Sequence, residues 1–130
     1  MDNKYVTLFK ELAQSAAASA EAVMDYDREL KDEEGLKTAT QMRDDYQDLA
    51  DKIDAAGNDY ALTKNDAAKL TAAAMIMVNQ LQDRITFYKR SIAGYQTDLI
   101  PKLQELLASE LTDDAFSNLA NEKFILENNN

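Results

Sequence analysis

The sequence predicts an all-α fold, an antiparallel bundle of three main helices with a short C-terminal helix, and three observations carry that reading. Glycine and proline number only three and one in 130 residues, so the punctuation that β-hairpins need is nearly missing. Ala, Leu, Lys, Glu and Gln abound, and these are strong helix formers. Apolar residues also recur every three or four positions over long stretches, which is the period of a helical face. The expected helices span about 3–32, 36–56 and 64–108, the last with a bend near 94–101, followed by a short one at about 112–127. No linker or internal repeat divides residues 1–130, a length that suits a single domain.

Helix one follows from Tyr5, Phe9, Leu12, Ala16, Ser19, Val23, Tyr26 and Leu30, a single stripe at alternating spacings of four and three. Its middle, AQSAAASAEA, is rich in small residues that let a neighbour approach closely but add little apolar area. The run DEEG is expected to end it, with Gly35 left-handed just past the helix. Helix two carries Leu36, Ala39, Met42, Tyr46, Leu49, Ile53 and Ala56 and stops at Gly57. A connection this short returns helix two antiparallel to helix one. Thr63 with Asp66 three residues on reads as a helix start, a capping-box variant. The terminal helix begins at Thr112 as cap, places Asp113 and Asp114 at its positive end, and presents Phe116, Leu119, Ala120 and Phe124 as its apolar side.

The third segment poses the main question. Val78, Leu81, Ile85, Tyr88, Ile92, Tyr95 and Leu99 keep a seven-residue repeat that resembles a coiled-coil seam, yet Gly94 and Pro101 interrupt its end. A turn at Gly94 would make Asp98 the cap of a new helix with Pro101 in its first turn, where a missing N–H costs nothing. A continuing helix would bend at Pro101, which withholds its bond from the carbonyl of Thr97 at a cost of about 3 kcal/mol. The seam keeps phase through Gly94, which favours the bend. Such a helix would reach about 65 Å against about 45 Å for helix one. Its far end, with Leu99, Ile100, Leu103, Leu106 and Leu107, would overhang the bundle as an oligomer or partner contact, partly covered by the terminal helix.

Histidine and cysteine are absent, which removes imidazole bases, thiolate nucleophiles, disulfides and the commonest metal ligands. No glycine-rich phosphate loop is present either, so no cofactor is expected. The 24 acidic and 14 basic residues give a net charge of −10, which disfavours direct nucleic-acid and anionic-membrane partners. Lys10 and Glu11 break the N-terminal apolar stretch short of a signal-peptide core, and no stretch has the length of a membrane span. The expectation is a soluble, cytoplasmic protein. Tyrosines 5, 26, 46, 88 and 95 occupy stripe positions and are expected at core rims, and the all-round apolarity of AAAMIMVNQL is expected to bury Met75 and Met77.

Two carboxylate patterns merit a chemical reading. Asp44, Asp45 and Asp48 form a D-D-x-x-D pattern, which resembles the magnesium-diphosphate motif of the large all-α prenyl-diphosphate synthases. That resemblance covers five residues, in a chain too short to enclose an apolar tail, with no second aspartate-rich helix. Glu29 with Asp32 and Asp45 with Asp48 resemble the E-x-x-E and E-x-x-D pairs of MazG-type nucleotide pyrophosphatases. The resemblance implies a metal-dependent hydrolase with those four carboxylates on adjacent helices. Against both stands a solvated acidic face opposite Met42, Leu49 and Ile53.

The charge distribution carries more weight. Through Gly57 there are 14 acidic and 7 basic residues, and beyond it 10 and 7. Arg84, Lys89 and Arg90 form the main basic cluster of the third segment, and Arg84 and Lys89 flank its seam, where Asp45 or Asp48 would face them. The expected function is that of a non-enzymatic helical interaction module, an adaptor or inhibitor that docks on a basic protein surface. Its candidate contact residues are Asp44, Asp45, Asp48, Asp51, Glu29, Asp32, Glu33 and Glu34. In size and charge it is similar to small acidic inhibitors encoded by phages and plasmids, a likeness of composition alone. The alternative is a structural homo-oligomer joined through the helix-three seam.

Overall fold

The computed structural model describes residues 3–81 and 95–128. Helices α1 (Asn3–Leu30) and α2 (Glu33–Ala56) form a hairpin, and a 3₁₀ turn (Gly57–Asp59) leads to α3 (Lys64–Leu81). The chain re-enters as a π-helical turn (Tyr95–Leu99) continuous with α4 (Ile100–Ala108), and α5 (Asp113–Asn128) ends it. Among the described residues there is no strand, as the composition predicts.

The α1–α2 turn is tighter than DEEG suggested, and it places Gly35 differently. Lys31, not Gly35, takes the left-handed conformation, at φ 57°. The Asp32 N–H bonds to the Asp27 carbonyl at 2.9 Å and the Lys31 N–H to the Arg28 carbonyl at 3.2 Å. These are the two bonds of a Schellman ending. Asp32 is then at once the N-cap of α2, its carboxylate accepting the Gly35 N–H at 3.0 Å. Gly35 lies inside α2 because there is no room for more: a Cβ there would stand 2.4 Å from the Asp32 carboxylate and 3.0 Å from that of Asp27.

Small residues shape the packing of the hairpin. Ala13, Ala16, Ala17 and Ala20 are buried on α1, facing a helix that buries Ala39, Tyr46, Leu49, Ala50 and Ile53. Lys10 pairs with Asp54 at 2.6 Å near the open end, which marks the antiparallel register. The stripe expected on α1 is only half right. Tyr5, Phe9, Leu12 and Ala16 are buried, but the core then follows Ala17, Ala20, Met24 and Asp27, and Val23, Tyr26 and Leu30 face outward. Gly57 ends α2 at φ 55° and ψ −132°, a conformation that side chains resist, and its N–H reaches the Ile53 carbonyl. Thr63 caps α3 through the Asp66 N–H, and Thr112 caps α5 through the Ala115 N–H, both as the sequence predicts.

The third segment departs from a single bent rod. α4 packs back against α3, whereas residues 19 apart in one helix would lie about 28 Å from each other. The overhanging arm is therefore corrected: Leu99, Leu103 and Leu106 are fully buried in the chain's own core, and Ile100 and Leu107 pack against its edge. They do not form a free contact surface. Pro101 does lie within continuous helical backbone. Residues 95–99 widen to π spacing, the form suited to a helix that lacks one i→i+4 donor. Asp98 caps nothing; it pairs with Lys102 at 2.6 Å, and Leu99 at the helix start is already helical. Gly94 and the seam positions Ile85, Tyr88 and Ile92 lie outside the described residues.

The terminal helix closes this end of the bundle. Phe116, Ala120 and Phe124 are fully buried and Leu119 is half-buried. Phe124 meets Tyr5 with ring centroids 4.4 Å apart and Phe9 edge-on at 5.5 Å. Lys102 donates to the Tyr5 hydroxyl and lies over its ring at 4.9 Å. Met77 is buried as expected, but Met75 is exposed, because α3 is covered on fewer sides than its apolar run implies.

Two substitutions test these assignments. Lys31→Gly relieves a left-handed side chain and is expected to raise the unfolding free energy by about 1 kcal/mol. Phe124→Ala empties a site shared by α1, α4 and α5, and is expected to cost about 3–5 kcal/mol. Urea titration followed by circular dichroism measures both.

Candidate functional site

The residues singled out for their charge are distributed along α2 and around the turn before it. The buried face of α2 fixes where its acids point, since Tyr46, Leu49 and Ile53 face the core. Asp44, Asp48 and Asp51, spaced by four and three, fall within about 60° of arc on the opposite side, and all three are exposed. Asp44 pairs with Arg43 at 3.0 Å. Asp51 accepts only the Gln47 amide and Asp45 the Gln41 amide, each at 3.0 Å. Among the described residues no cation stands within ion-pair distance of Asp45, Asp48 or Asp51. Arg84 and Lys89, expected to face Asp45 or Asp48, lie outside the described residues, as does Arg90.

Glu29, Asp32, Glu33 and Glu34 belong to the hairpin turn, and all four are exposed. Asp32 has a structural task as the cap of α2, while Glu33 and Glu34 occupy the first helical turn, where the helix dipole favours negative charge.

The structure does not bring the two carboxylate pairs together. Glu29 and Asp32 sit at the turn, and Asp45 lies 13 residues further along α2, about 20 Å away. An antiparallel hairpin with its turn at Lys31 places Asp45 beside the middle of α1, not its end. Among the described residues no group of three or more acidic side chains is placed to hold a metal ion. The D-D-x-x-D residues likewise have no facing carboxylates among the described residues.

Two clefts run between α2 and α3. The larger, of about 710 Å³, lies over Met42 and Tyr46 with Glu34, Lys37, Asp45 and Lys69 on its walls. The smaller, of about 250 Å³, is bounded by Asp45, Asp48, Lys52, Asp66 and Lys69. Tyr46 closes the floor of the larger cleft, its hydroxyl donating to the Lys69 carbonyl at 2.9 Å. Burial, and then the negative charge of Asp45, push its phenol above the usual range.

The most tightly organised polar group went unread in the sequence. Asp66, only 5% exposed, accepts the Tyr60 hydroxyl and the Lys52 ammonium, each at 2.7 Å. Its own N–H is held by Thr63. The expected reciprocal half of the capping box is thus replaced: the carboxylate turns inward to the loop and to α2. Burial first, then the Asp66 hydrogen bond and charge, push the Tyr60 phenol well above its ordinary value. A phenol so held keeps its proton at neutral pH, so the trio joins α2, the 57–63 loop and α3 instead of moving protons. The legible signal was the pair Tyr60 and Leu62, two large side chains inside the short loop GNDYALT.

No helix is long and apolar enough to cross a membrane among the described residues. No protein-family model matches the chain, and no curated protein or solved structure shows significant similarity to it.

Tyr60→Phe is expected to cost about 1.5–3 kcal/mol, the worth of a hydrogen bond to a charged acceptor. Because the folded pKa is raised, the proton on Tyr60 contributes its full stability below the unfolded value of about 10 and loses it as pH rises beyond. Thermal melts above pH about 10 should therefore fall less steeply in Tyr60→Phe than in the parent chain.

Proposed function

We propose that this chain is a non-enzymatic helical interaction module that docks on a basic surface of a partner protein. The observation that supports it is the face of α2: Asp44, Asp48 and Asp51 stand exposed in one row with Asp45 beside them. Most of that charge has no cation against it among the described residues. Such a row, in a chain of net charge −10, attracts a cationic surface over about a Debye length and accelerates encounter more than it tightens the complex. The buried face of α2 is satisfied within the bundle, and among the described residues Asp48 and Asp51 make no ion pair that ties α2 to another helix.

The test is affinity capture from the native host, comparing the parent with a variant carrying Asp44→Asn, Asp45→Asn, Asp48→Asn and Asp51→Asn together. Rim charges worth a few tenths of a kcal/mol each predict about a tenfold loss of affinity for the captured partner. Raising salt from low to moderate ionic strength should weaken the parent complex in the same direction. Retention that is insensitive to both salt and the four substitutions would overturn the proposal.

A further inference from the structure

The half of the α1 stripe that leaves the core is the main apolar feature of the described surface. Val23, Tyr26 and Leu30 are 49%, 61% and 59% exposed. Single exposed apolar side chains are ordinary, but a contiguous row marks an interaction surface. The row spans about 10 Å of helix. At its inner end it runs into a groove of about 200 Å³ whose walls include Ala20, Val23, Met42 and Ile76. Three helices of the bundle thus share one apolar floor.

The spacing identifies the shape of the occupant. Ser19, Val23, Tyr26 and Leu30 follow each other by four, three and four, the rhythm that receives the ridge of another helix. The walls are helical throughout, so no backbone edge is offered to an added strand. Charge identifies its chemistry. Between Glu21 and Lys37 the chain carries seven acidic and three basic residues, a net charge of −4. Glu29 flanks the row on α1, and Glu33 and Glu34 open α2 beside it, all exposed. Arg28 is engaged by Asp25 at 2.7 Å, and Lys37 stands on the neighbouring cleft. A second copy would bring the same negative tip against this one, which like-charge repulsion opposes.

We propose that the α1–α2 tip binds an amphipathic helix of a partner protein. The apolar ridge of that helix lies on Val23, Tyr26 and Leu30, and its flanking Lys or Arg residues meet Glu29, Glu33 and Glu34. This inference rests on the reading of the chain as an interaction module, and it names a surface different from the acidic row of α2.

The probe is a synthetic leucine–lysine peptide of about 18 residues with leucines at a and d positions. Controls are a scrambled peptide of the same composition and a leucine–glutamate peptide of the same pattern. Fluorescence anisotropy against the full chain reads binding, and sedimentation reads the oligomeric state. The expected result is saturable binding of the patterned leucine–lysine peptide alone. Val23→Ser, Tyr26→Ser and Leu30→Ser together should weaken it by at least about tenfold. Because these side chains are exposed, circular dichroism should show the variant folded. The four Asp→Asn changes on α2 should alter binding by less than about threefold, which separates this surface from the acidic row. Absence of binding, equal binding of either control, or full binding to the serine variant overturns the inference. So does a dimer of the unliganded chain that dissociates on the same serine substitutions. None of these results touches capture through the α2 row, which is read on different residues.

Discussion

The turn from Glu29 to Gly35 sets the constraint on which the other features depend. Lys31 in a left-handed conformation ends α1, and the next residue, Asp32, starts α2 with its carboxylate. Two residues thus satisfy the orphan carbonyls of one helix and the orphan N–H groups of the next. With so short a connection, neither helix can slide without breaking the Asp27, Arg28 or Gly35 hydrogen bonds. Register is then fixed along the whole hairpin, down to Lys10 and Asp54 at its other end. The same register keeps Glu29 and Asp32 away from Asp45 and Asp48, which decides against a shared cation site more firmly than any composition argument.

Much of the fold was legible because it rests on local chemistry. Thr63 and Thr112 are caps for the reason that their hydroxyls accept N–H groups three residues on, and Phe116, Ala120 and Phe124 share a face by spacing alone. What could not be read depends on which of two overlapping stripes the core selects. On α1, Tyr5, Phe9, Leu12 and Ala16 belong to a row that also contains Val23, Tyr26 and Leu30. The alanines at 13, 17 and 20 lead one step round the helix to Met24 and Asp27. Close approach of α2 favours the smaller side chains, because many dispersion contacts at short range outweigh a few larger residues held further off. Periodicity identifies the rows but not the winner.

The third segment shows a different limit. Phase continuity through Pro101 was sound evidence that the backbone stays helical there, and the π-helical turn at Tyr95–Leu99 agrees. It was not evidence about the path from Leu81 to Tyr95. Leu99, Leu103 and Leu106 needed cover on either reading. Cover is supplied by α3, by Tyr5 and Phe9 of α1 and by Phe116 and Phe124, so the leucines that suggested an interface are instead part of the one continuous core. The buried Asp66 was hidden for a related reason. Its role as a cap residue is local, but its partners Tyr60 and Lys52 come from a loop and a helix that only the tertiary fold brings near.

These two outcomes together locate the unsatisfied surface of the molecule. At the end where α1 begins, aromatic rings and leucines from α1, α4 and α5 enclose one another, and even Lys102 is drawn in against Tyr5. At the hairpin tip the core thins to Ala20, Met24 and Ala39, which bury little area. Stability is therefore supplied mainly from one end, and the tip is free to carry residues that a core would otherwise have claimed. Val23, Tyr26 and Leu30 are the apolar side chains left over by that division, and the carboxylates around them would oppose the approach of a second copy. An acidic rim about an apolar row is the complement of a cationic, amphipathic surface, and that complementarity is what the proposed helix partner would use.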